Sequence, residues 1–308
     1  MRTIVVVGSS NTDMVIKAPR LPLPGETVTN GAFFTARGGK GANQAVAAAR
    51  AGGDVVLIAS LGRDALGDAA MLGFEGEGID TSHVQRTTAA PSGVALIVVD
   101  AAGQNSIAVA EGANGLLSAD DVRACASVIA SADVLVAQLE VPLATVSEAI
   151  AIAHAHGRQV ILNPAPARPL PDGLLSQVSI LTPNASETEV LTGVAPRDDA
   201  SRHRAADLLL GRGVGAALIT LGAAGVFAAT PDRRDWIRGW PVAAEDTTGA
   251  GDVFTGALAV ALAEDAAFFD AARFANAAAA ISVTRRGAQP SAPRRREIID
   301  LIGAPGSA

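Results

Sequence analysis

The segment at residues 245–257, EDTTGAGDVFTGA, places a carboxylate and three small residues at the start of an apolar helical pattern. Gly249, Ala250 and Gly251 leave the backbone accessible. N–H groups at a helix start lack intrahelical partners and carry the positive end of the helix dipole, so they can hold negative charge. Asp252 would lie in the first turn, within reach of whatever group faces that anion. A helix cap with a glycine-rich turn would produce the same string.

A second glycine-rich segment, RGGKGANQAVAAA at residues 37–49, also opens a helical pattern, with Lys40 and Asn43 in its first turn. A cation is unfavourable at the positive end of a helix dipole, which favours a binding role for Lys40 over a solvated helix start. The segment is not a P-loop. Phe34 stands where that motif needs glycine, and Gly41 stands where it needs serine or threonine.

These segments lie in a chain of 308 residues, of which 49% are hydrophobic and only 3% aromatic, so small aliphatic side chains must fill the core. The net charge of -7 gives no overall attraction to nucleic acid or to anionic lipid, and neither is expected as a partner. The single cysteine, Cys125, cannot form an internal disulfide and is interpreted as a small core residue.

Short β-branched runs alternate with helical patterns along most of the chain, which predicts an α/β fold with a mainly parallel central sheet and helices on both faces. The predicted strands are 3–8, 54–61, 134–139, 159–163, 179–182 and 216–221. The predicted helices are 41–51, 119–130, 142–157, 184–192, 201–212, 249–264, 266–284 and 294–302.

Two helix-free segments interrupt this alternation. Residues 13–37 carry three prolines between strand-like pieces, and residues 93–110 have the pattern of a hairpin around residues 101–104. Together they are expected to form a small separate sheet that covers a site at the edge of the core. The division is then a core of residues 1–12, 38–92 and 111–303, the small sheet from 13–37 and 93–110, and a frayed tail at 304–308.

Membrane insertion and metal binding through histidine have little support in the sequence. The first apolar run, Ile4 to Val7, is too short for a signal peptide, and the longest, 214–229, is broken by Thr220, Gly222 and Gly225, which predicts two strands and a turn. A cytoplasmic protein is expected. The four histidines lack metal-ligand spacing and are interpreted as surface or packing residues.

The two glycine-rich segments resemble the signature sequences of the phosphofructokinase-B (pfkB) family of carbohydrate kinases. The matching strings are DTTGAGD at 246–252 and GGKGANQ at 38–44, and the latter is most similar to family members that phosphorylate ribose. Further family-like strings follow in the same order along the chain: GSSNTD at 8–13, PGETV at 24–28, QLE at 138–140, NPAPA at 163–167, TPNASE at 182–187, TLG at 220–222 and TRRGAQPS at 284–291.

The resemblance implies an ATP-dependent sugar kinase in which the small sheet forms a lid. The implied reaction transfers the γ-phosphoryl group of ATP to the primary hydroxyl, O5, of ribose. Asp252 would accept the hydroxyl proton, and the backbone at Gly249, Ala250 and Gly251 would form the anion hole. Such a step depends mainly on positioning and electrostatic stabilisation.

Binding residues are carried over from the family by motif position. The implied sugar contacts are Asn11, Asp13, Gly39, Lys40, Asn43, Glu140 and Asp252. The implied nucleotide contacts are Asn184, Glu187, Thr220, Gly222, Gly251 and Asn276. Glu187 would also hold Mg²⁺ through water, although Asn184 and Glu187 would equally form a helix N-cap.

A potassium ion beside the anion hole is also implied. Its matching positions are Asp246, Thr248, Ser282, Arg285, Gly287 and Ser291. The resemblance further implies a homodimer formed through the lid.

Three alternatives remain open on the residues. A kinase for deoxyribose, fructose or adenosine would share the motifs, although a nucleoside should need more stacking than Phe33 and Phe34 provide. A sugar-binding sensor without catalysis is disfavoured by the intact Asp252. A Rossmann oxidoreductase is disfavoured because GSSNTD, after the first strand, lacks the fingerprint glycines.

Overall fold

The computed structural model describes residues 2–304. Its main sheet has nine strands in the order β13-β12-β11-β10-β9-β8-β1-β4-β5. Their bounds are β1 Thr3–Val7, β4 Asp54–Gly62, β5 Val84–Thr87, β8 Val134–Ala137, β9 Gln159–Leu162, β10 Ile180–Leu181, β11 Ala216–Thr220, β12 Gly225–Ala229 and β13 Arg234–Arg238.

The pairs from β11 to β5 are all parallel, whereas β12 and β13 add antiparallel strands at one edge. The predicted mainly parallel sheet is therefore confirmed. Its strands are apolar without alternation because both faces are covered by helices. In β1, for example, Ile4 to Val7 are all fully buried.

Twelve α-helices accompany these strands among residues 2–304. Their bounds are α1 Lys40–Arg50, α2 Ala65–Gly76, α3 Ala119–Ala124, α4 Ala126–Ser131, α5 Leu143–Ala155, α6 Asp172–Leu175, α7 Ala185–Thr192, α8 Asp199–Gly211, α9 Ala250–Ala263, α10 Phe268–Ser282, α11 Ala288–Ser291 and α12 Arg295–Ile302. Helices α1, α2, α9, α10 and α12 share a core with Ile4 and Val6, and α3 to α8 share the opposite core with Val5 and Val7. No helix within residues 2–304 is long and apolar enough to cross a membrane.

The two helix-free segments form the expected separate sheet of four strands. Its order is β3-β2-β6-β7, with bounds β2 Asn11–Lys17, β3 Ala32–Gly38, β6 Gly93–Val99 and β7 Asn105–Ala110. The β2–β6 pair is parallel and the other two pairs are antiparallel. Since β2 begins at Asn11 and β3 ends at Gly38, these strands start and finish beside the core.

Several details differ from the sequence prediction. The helix predicted at 119–130 is divided into α3 and α4 at Cys125, whose backbone at φ -97 and ψ 11 leaves the helical region. The edge strands β5 and β13 were not predicted. Of the predicted tail, residues 305–308 lie outside the described part of the chain.

Helices α1 and α9 pack unusually closely, and Gly256 makes this possible. A Cβ atom built on Gly256 would lie 2.5 Å from the carbonyl oxygen of Gln44 and 2.8 Å from the Cβ of Ala47. Only glycine allows the two backbones to approach so closely. The consequence is that the first turns of both helices meet.

Candidate active site

The two glycine-opened helices bring their first turns together in one cleft. Asn43 Nδ2 of α1 donates to Asp252 Oδ2 of α9 at 2.9 Å, and Gln44 Nε2 donates to Asp252 Oδ1 at 3.0 Å. Each helix is preceded by a glycine at positive φ, Gly39 at 88° and Gly249 at 75°. This conformation is rare for other residues and directs each chain into its helix at the cleft.

The first turn of α9 offers free backbone donors. Within residues 2–304, the N–H groups of Gly249, Gly251 and Asp252 have no acceptor, whereas Ala250 N–H donates to the Thr247 carbonyl at 3.3 Å. A Cβ on Gly251 would meet nothing within 4 Å, so an anion can approach closely there. The predicted anion hole therefore has accessible donors, with Ala250 partly committed to its own turn.

Asp252 is buried, with 5% of its surface exposed. Burial raises its pKa, whereas Lys40 and the amides of Asn43 and Gln44 act in the opposite direction by stabilising the ionised form. Burial lowers the pKa of Lys40, but the nearby carboxylates, led by Asp252, raise it above its ordinary value. Asp252 and Lys40 thus favour each other's charged forms.

Glu140, which follows β8, contacts the first residue of α1. Its Oε2 accepts the Lys40 backbone N–H at 2.9 Å and the Ser9 hydroxyl at 2.6 Å. Ser9 itself accepts the Gly41 N–H at 3.3 Å. Glu140 therefore caps the start of α1 from the end of β8 and leaves its other carboxylate oxygen for a ligand.

Asn11 and Asp13 enter the cleft from β2. Asn11 Oδ1 accepts from Asn114 Nδ2 at 2.7 Å, which fixes the orientation of the Asn11 amide. The Asp13 carboxylate occupies the space above Gly38, where a Cβ would lie 2.4 Å from its oxygens. Burial, followed by the charges of Glu140 and Asp252, raises the pKa of Asp13 to about 6.

Asn184 and Glu187 form a capping box at the start of α7. The Glu187 N–H donates to Asn184 Oδ1 at 2.9 Å, and the Asn184 N–H donates to Glu187 Oε2 at 2.8 Å. Both residues also line a cavity of about 140 Å³ with Lys40, Gly251 and Asp252. The structural role as a cap is therefore present, and both side chains face the cleft.

A larger cavity of about 350 Å³ adjoins this one, since Asn184, Thr220 and Gly251 line both. Gly222 and Asn276 line only the larger cavity, whose walls are otherwise mainly apolar. Asn276 Nδ2 donates to the Arg238 carbonyl at 2.8 Å, so its amide has one orientation.

Hydrogen bonds join only some of the residues that were predicted to bind potassium. Asp246 Oδ1 accepts from the Thr248 hydroxyl at 2.6 Å, and its Oδ2 accepts from the Gly287 N–H at 2.9 Å. These bonds lower the pKa of Asp246, although burial opposes them. Ser282 and Ser291 are buried and donate to the carbonyls of Ala279 and Ala288, and Arg285 pairs with Glu297.

Five polar residues of the cleft were not singled out from the sequence. They are Ser9, Gln44, Asn114, Gln138 and Asn163, all buried and all joined by hydrogen bonds to a predicted site residue or to one another. A signal was available for Gln44, because it is a polar side chain among the alanines that face the core from α1. Asn163 opens the family-like string NPAPA, whereas Asn114 lies outside every family-like string.

Known proteins resemble this chain in both sequence and fold. The family model of pfkB family carbohydrate kinases matches residues 1–295. The chain is 46% identical to a ribokinase of Haemophilus influenzae over 98% of each chain, and 38% identical to a deoxyribokinase of Salmonella typhi over 94% of this chain and 95% of that one.

The solved structure of ribokinase from Arabidopsis thaliana, complexed with ribose and ATP, superposes with a TM-score of 0.90 at 33% identity, covering 98% of this chain and 99% of the other. Fold and sequence agree over nearly the whole length. The chain belongs to the pfkB family of carbohydrate kinases.

Proposed function

We propose that this protein transfers the γ-phosphoryl group of ATP to O5 of ribose, giving ribose 5-phosphate and ADP. One observation carries the proposal: Asp252, in the first turn of α9, accepts hydrogen bonds from Asn43 and Gln44 at the start of α1, so both glycine-opened turns lie in one cleft. Relatives named as ribokinases in bacteria, fission yeast and mouse at 38–46% identity support ribose as the acceptor.

In this proposal, sugar and nucleotide approach Asp252 from opposite sides. The sugar lies among Asn11, Asp13, Glu140 and Lys40, whose carboxylate, amide and ammonium groups can pair with adjacent hydroxyls. Asp252 accepts the proton of the attacking hydroxyl as the new O–P bond forms. The free N–H groups at the start of α9 stabilise the charge on the transferred group, which is the main catalytic requirement of phosphoryl transfer.

The nucleotide would lie in the larger cavity, with its phosphates directed toward α9. Gly222 is at φ 57 and has nothing within 4 Å of a built Cβ, which leaves room beside Thr220. Mg²⁺ fits the smaller cavity, because Glu187 and Asn184 supply the oxygen ligands that it prefers, directly or through water. Bound there, it would neutralise phosphate charge. Consumption of ATP also fits a cytoplasmic enzyme.

We also infer a potassium site at Asp246, Thr248 and Gly287, completed by carbonyls of the 282–291 segment. Support comes from the Asp246 carboxylate, whose hydrogen bonds tie the turn before α9 to Gly287, and from Gly249, which packs on Ala288. An oxygen-ligated cation there would order the anion hole without contacting the substrate.

The small sheet, residues 13–37 and 93–110, is proposed as a lid and as the interface of a homodimer. It exposes several large apolar side chains, namely Ile16, Phe33, Phe34, Leu96, Ile107 and Val109. By strand pairing, Ile16, Phe33 and Leu96 lie on the face of this sheet opposite Asn11 and Asp13. Exposed apolar residues that share one face are typical of an interaction surface. Sedimentation should show a dimer that Phe33→Ser together with Leu96→Ser converts to a monomer.

An ADP-release assay with ribose, deoxyribose, fructose and adenosine tests the function. Ribose should give the highest kcat/KM. A preference for deoxyribose would favour the activity named for the Salmonella relative. If no acceptor supports ADP release in protein that still binds ribose by calorimetry, the protein is a sensor and the proposed catalysis is wrong.

A further inference from the structure

Gln44 is a fully buried amide whose hydrogen-bonding groups are all used. Its Nε2 donates to Asp252 Oδ1 at 3.0 Å and to Asn163 Oδ1 at 3.2 Å. Its Oε1 accepts from Gln138 Nε2 at 2.6 Å. Gln44 lines neither cavity, so it reaches the proposed reaction only through Asp252.

The neighbouring amides permit only one orientation of Gln44. Asn163 Nδ2 donates to the Thr182 carbonyl at 3.0 Å, which turns its oxygen toward Gln44. A reversed Gln44 amide would place its oxygen against both that oxygen and the Asp252 carboxylate, and its NH₂ against the NH₂ of Gln138. Such an arrangement loses three hydrogen bonds and adds like-dipole repulsion.

Gln138 fixes the orientation of the Gln44 amide, but the burial of Gln138 itself is unfavourable. It is fully buried, and within residues 2–304 its Oε1 has no hydrogen-bond partner. A Cβ on Gly8 would lie 2.0 Å from that oxygen, so glycine at position 8 makes room for the amide. An unsatisfied buried oxygen is unfavourable, and an apolar side chain could fill this volume without it. The bond from Gln138 to Gln44 is the feature that offsets the cost.

We propose that Gln44, oriented by Gln138, is a positioning residue that keeps Asp252 ionised and fixes the plane of its carboxylate. With one oxygen held by Gln44 and the other by Asn43, each oxygen keeps a lone pair that can accept the proton of the sugar hydroxyl. The inference rests on the proposed function, since it assigns how the base is held. The charged groups that face Asp252 are Lys40 from α1, Glu140 after β8, Glu187 from α7 and Asp13 from β2.

The test is Gln44→Met, which keeps the side-chain length and removes both donors. Losing one amide bond to a carboxylate should lower kcat about tenfold to a hundredfold. The acidic limb of the kcat–pH profile should move to higher pH, because the ionised form of Asp252 loses a donor. The KM for ribose should change less than about threefold, since Gln44 does not contact the sugar.

Val46→Ala is the matched control. Val46 is a buried core residue of the same helix and has no bond to Asp252. Val46→Ala should lower the midpoint of thermal unfolding without moving the acidic limb of the kcat–pH profile. If Gln44→Met changes kcat no more than Val46→Ala and leaves the limb in place, Gln44 is only a core residue and the proposal is wrong.

A second variant covers the case in which Gln44→Met does not fold. Gln138→Leu keeps both Gln44 and Asp252 but removes the hydrogen bond that orients the Gln44 amide. An intermediate loss of kcat and a smaller shift of the acidic limb of the kcat–pH profile are therefore expected. Wild-type kinetics in Gln138→Leu would overturn the role of Gln138 and Gln44 together. Failure of the proposed function would be seen separately, as a wild-type protein that phosphorylates no sugar.

Discussion

Replacing Gly256 with alanine should damage activity more than stability, because Gly256 sets the distance between α1 and α9. A new Cβ would lie 2.5 Å from the Gln44 carbonyl oxygen, whereas ordinary contact begins near 3.4 Å. The helices must therefore separate by the difference, about 0.9 Å. The bonds from Asn43 and Gln44 to Asp252, at 2.9 and 3.0 Å, would then exceed hydrogen-bonding distance.

Two opposing terms decide the stability change. Alanine gains about 1 kcal/mol over glycine in a helix interior, whereas overpacking of a close contact costs about 1–3 kcal/mol. The free energy of unfolding should therefore fall by no more than about 2 kcal/mol. Misplacing the base by nearly 1 Å should lower kcat about a hundredfold. The proposed ADP-release assay and urea unfolding measure the two effects.

Gly211→Ala is the matched control, because it changes a helical glycine whose built Cβ meets nothing within 4 Å. It should leave kcat unchanged and stabilise the protein by up to about 1 kcal/mol. If Gly256→Ala has the activity and stability of this control, the close approach of α1 and α9 does not position Asp252, and the reasoning fails.

Three further outcomes are expected. Asp252→Asn should lower kcat by a factor of about 10² to 10⁴ while calorimetry shows ribose binding largely intact, since the base is lost at constant side-chain size; near-normal turnover would remove Asp252 from the mechanism. Because burial raises the pKa of Asp13 to about 6, the folded protein holds that proton more tightly than the unfolded chain, and stability falls as pH rises from 3.8 to about 6. Asp13→Asn should therefore raise the thermal midpoint more at pH 8 than at pH 5, and an equal gain at both would show that Asp13 titrates normally. Activity should rise when K⁺ replaces Na⁺ at constant ionic strength, and equal rates in the two salts would count against the inferred potassium site.

Local sequence determined much of this protein. The β-branched runs, the glycines before α1 and α9, and the prolines of residues 13–37 act through nearest neighbours, so the alternating core and the separate sheet could be predicted. The resemblance of two short motifs to the pfkB family was enough to predict Asp252 and Lys40 as site residues, and both line one cavity in the structure. Short-range preferences did not predict β5 and β13, which are edge strands held by their neighbours in the sheet.

Only the tertiary structure decided how the site is held together. Asn43 and Asp252 are 209 residues apart in the chain, and Gln44 and Gln138 are 94 apart. No local pattern specifies which buried amide faces which carboxylate, since that depends on the approach of two helices and on the space left by glycines such as Gly8 and Gly256. The partners in a buried hydrogen-bond network depend on one another, so they follow from the packed core as a whole.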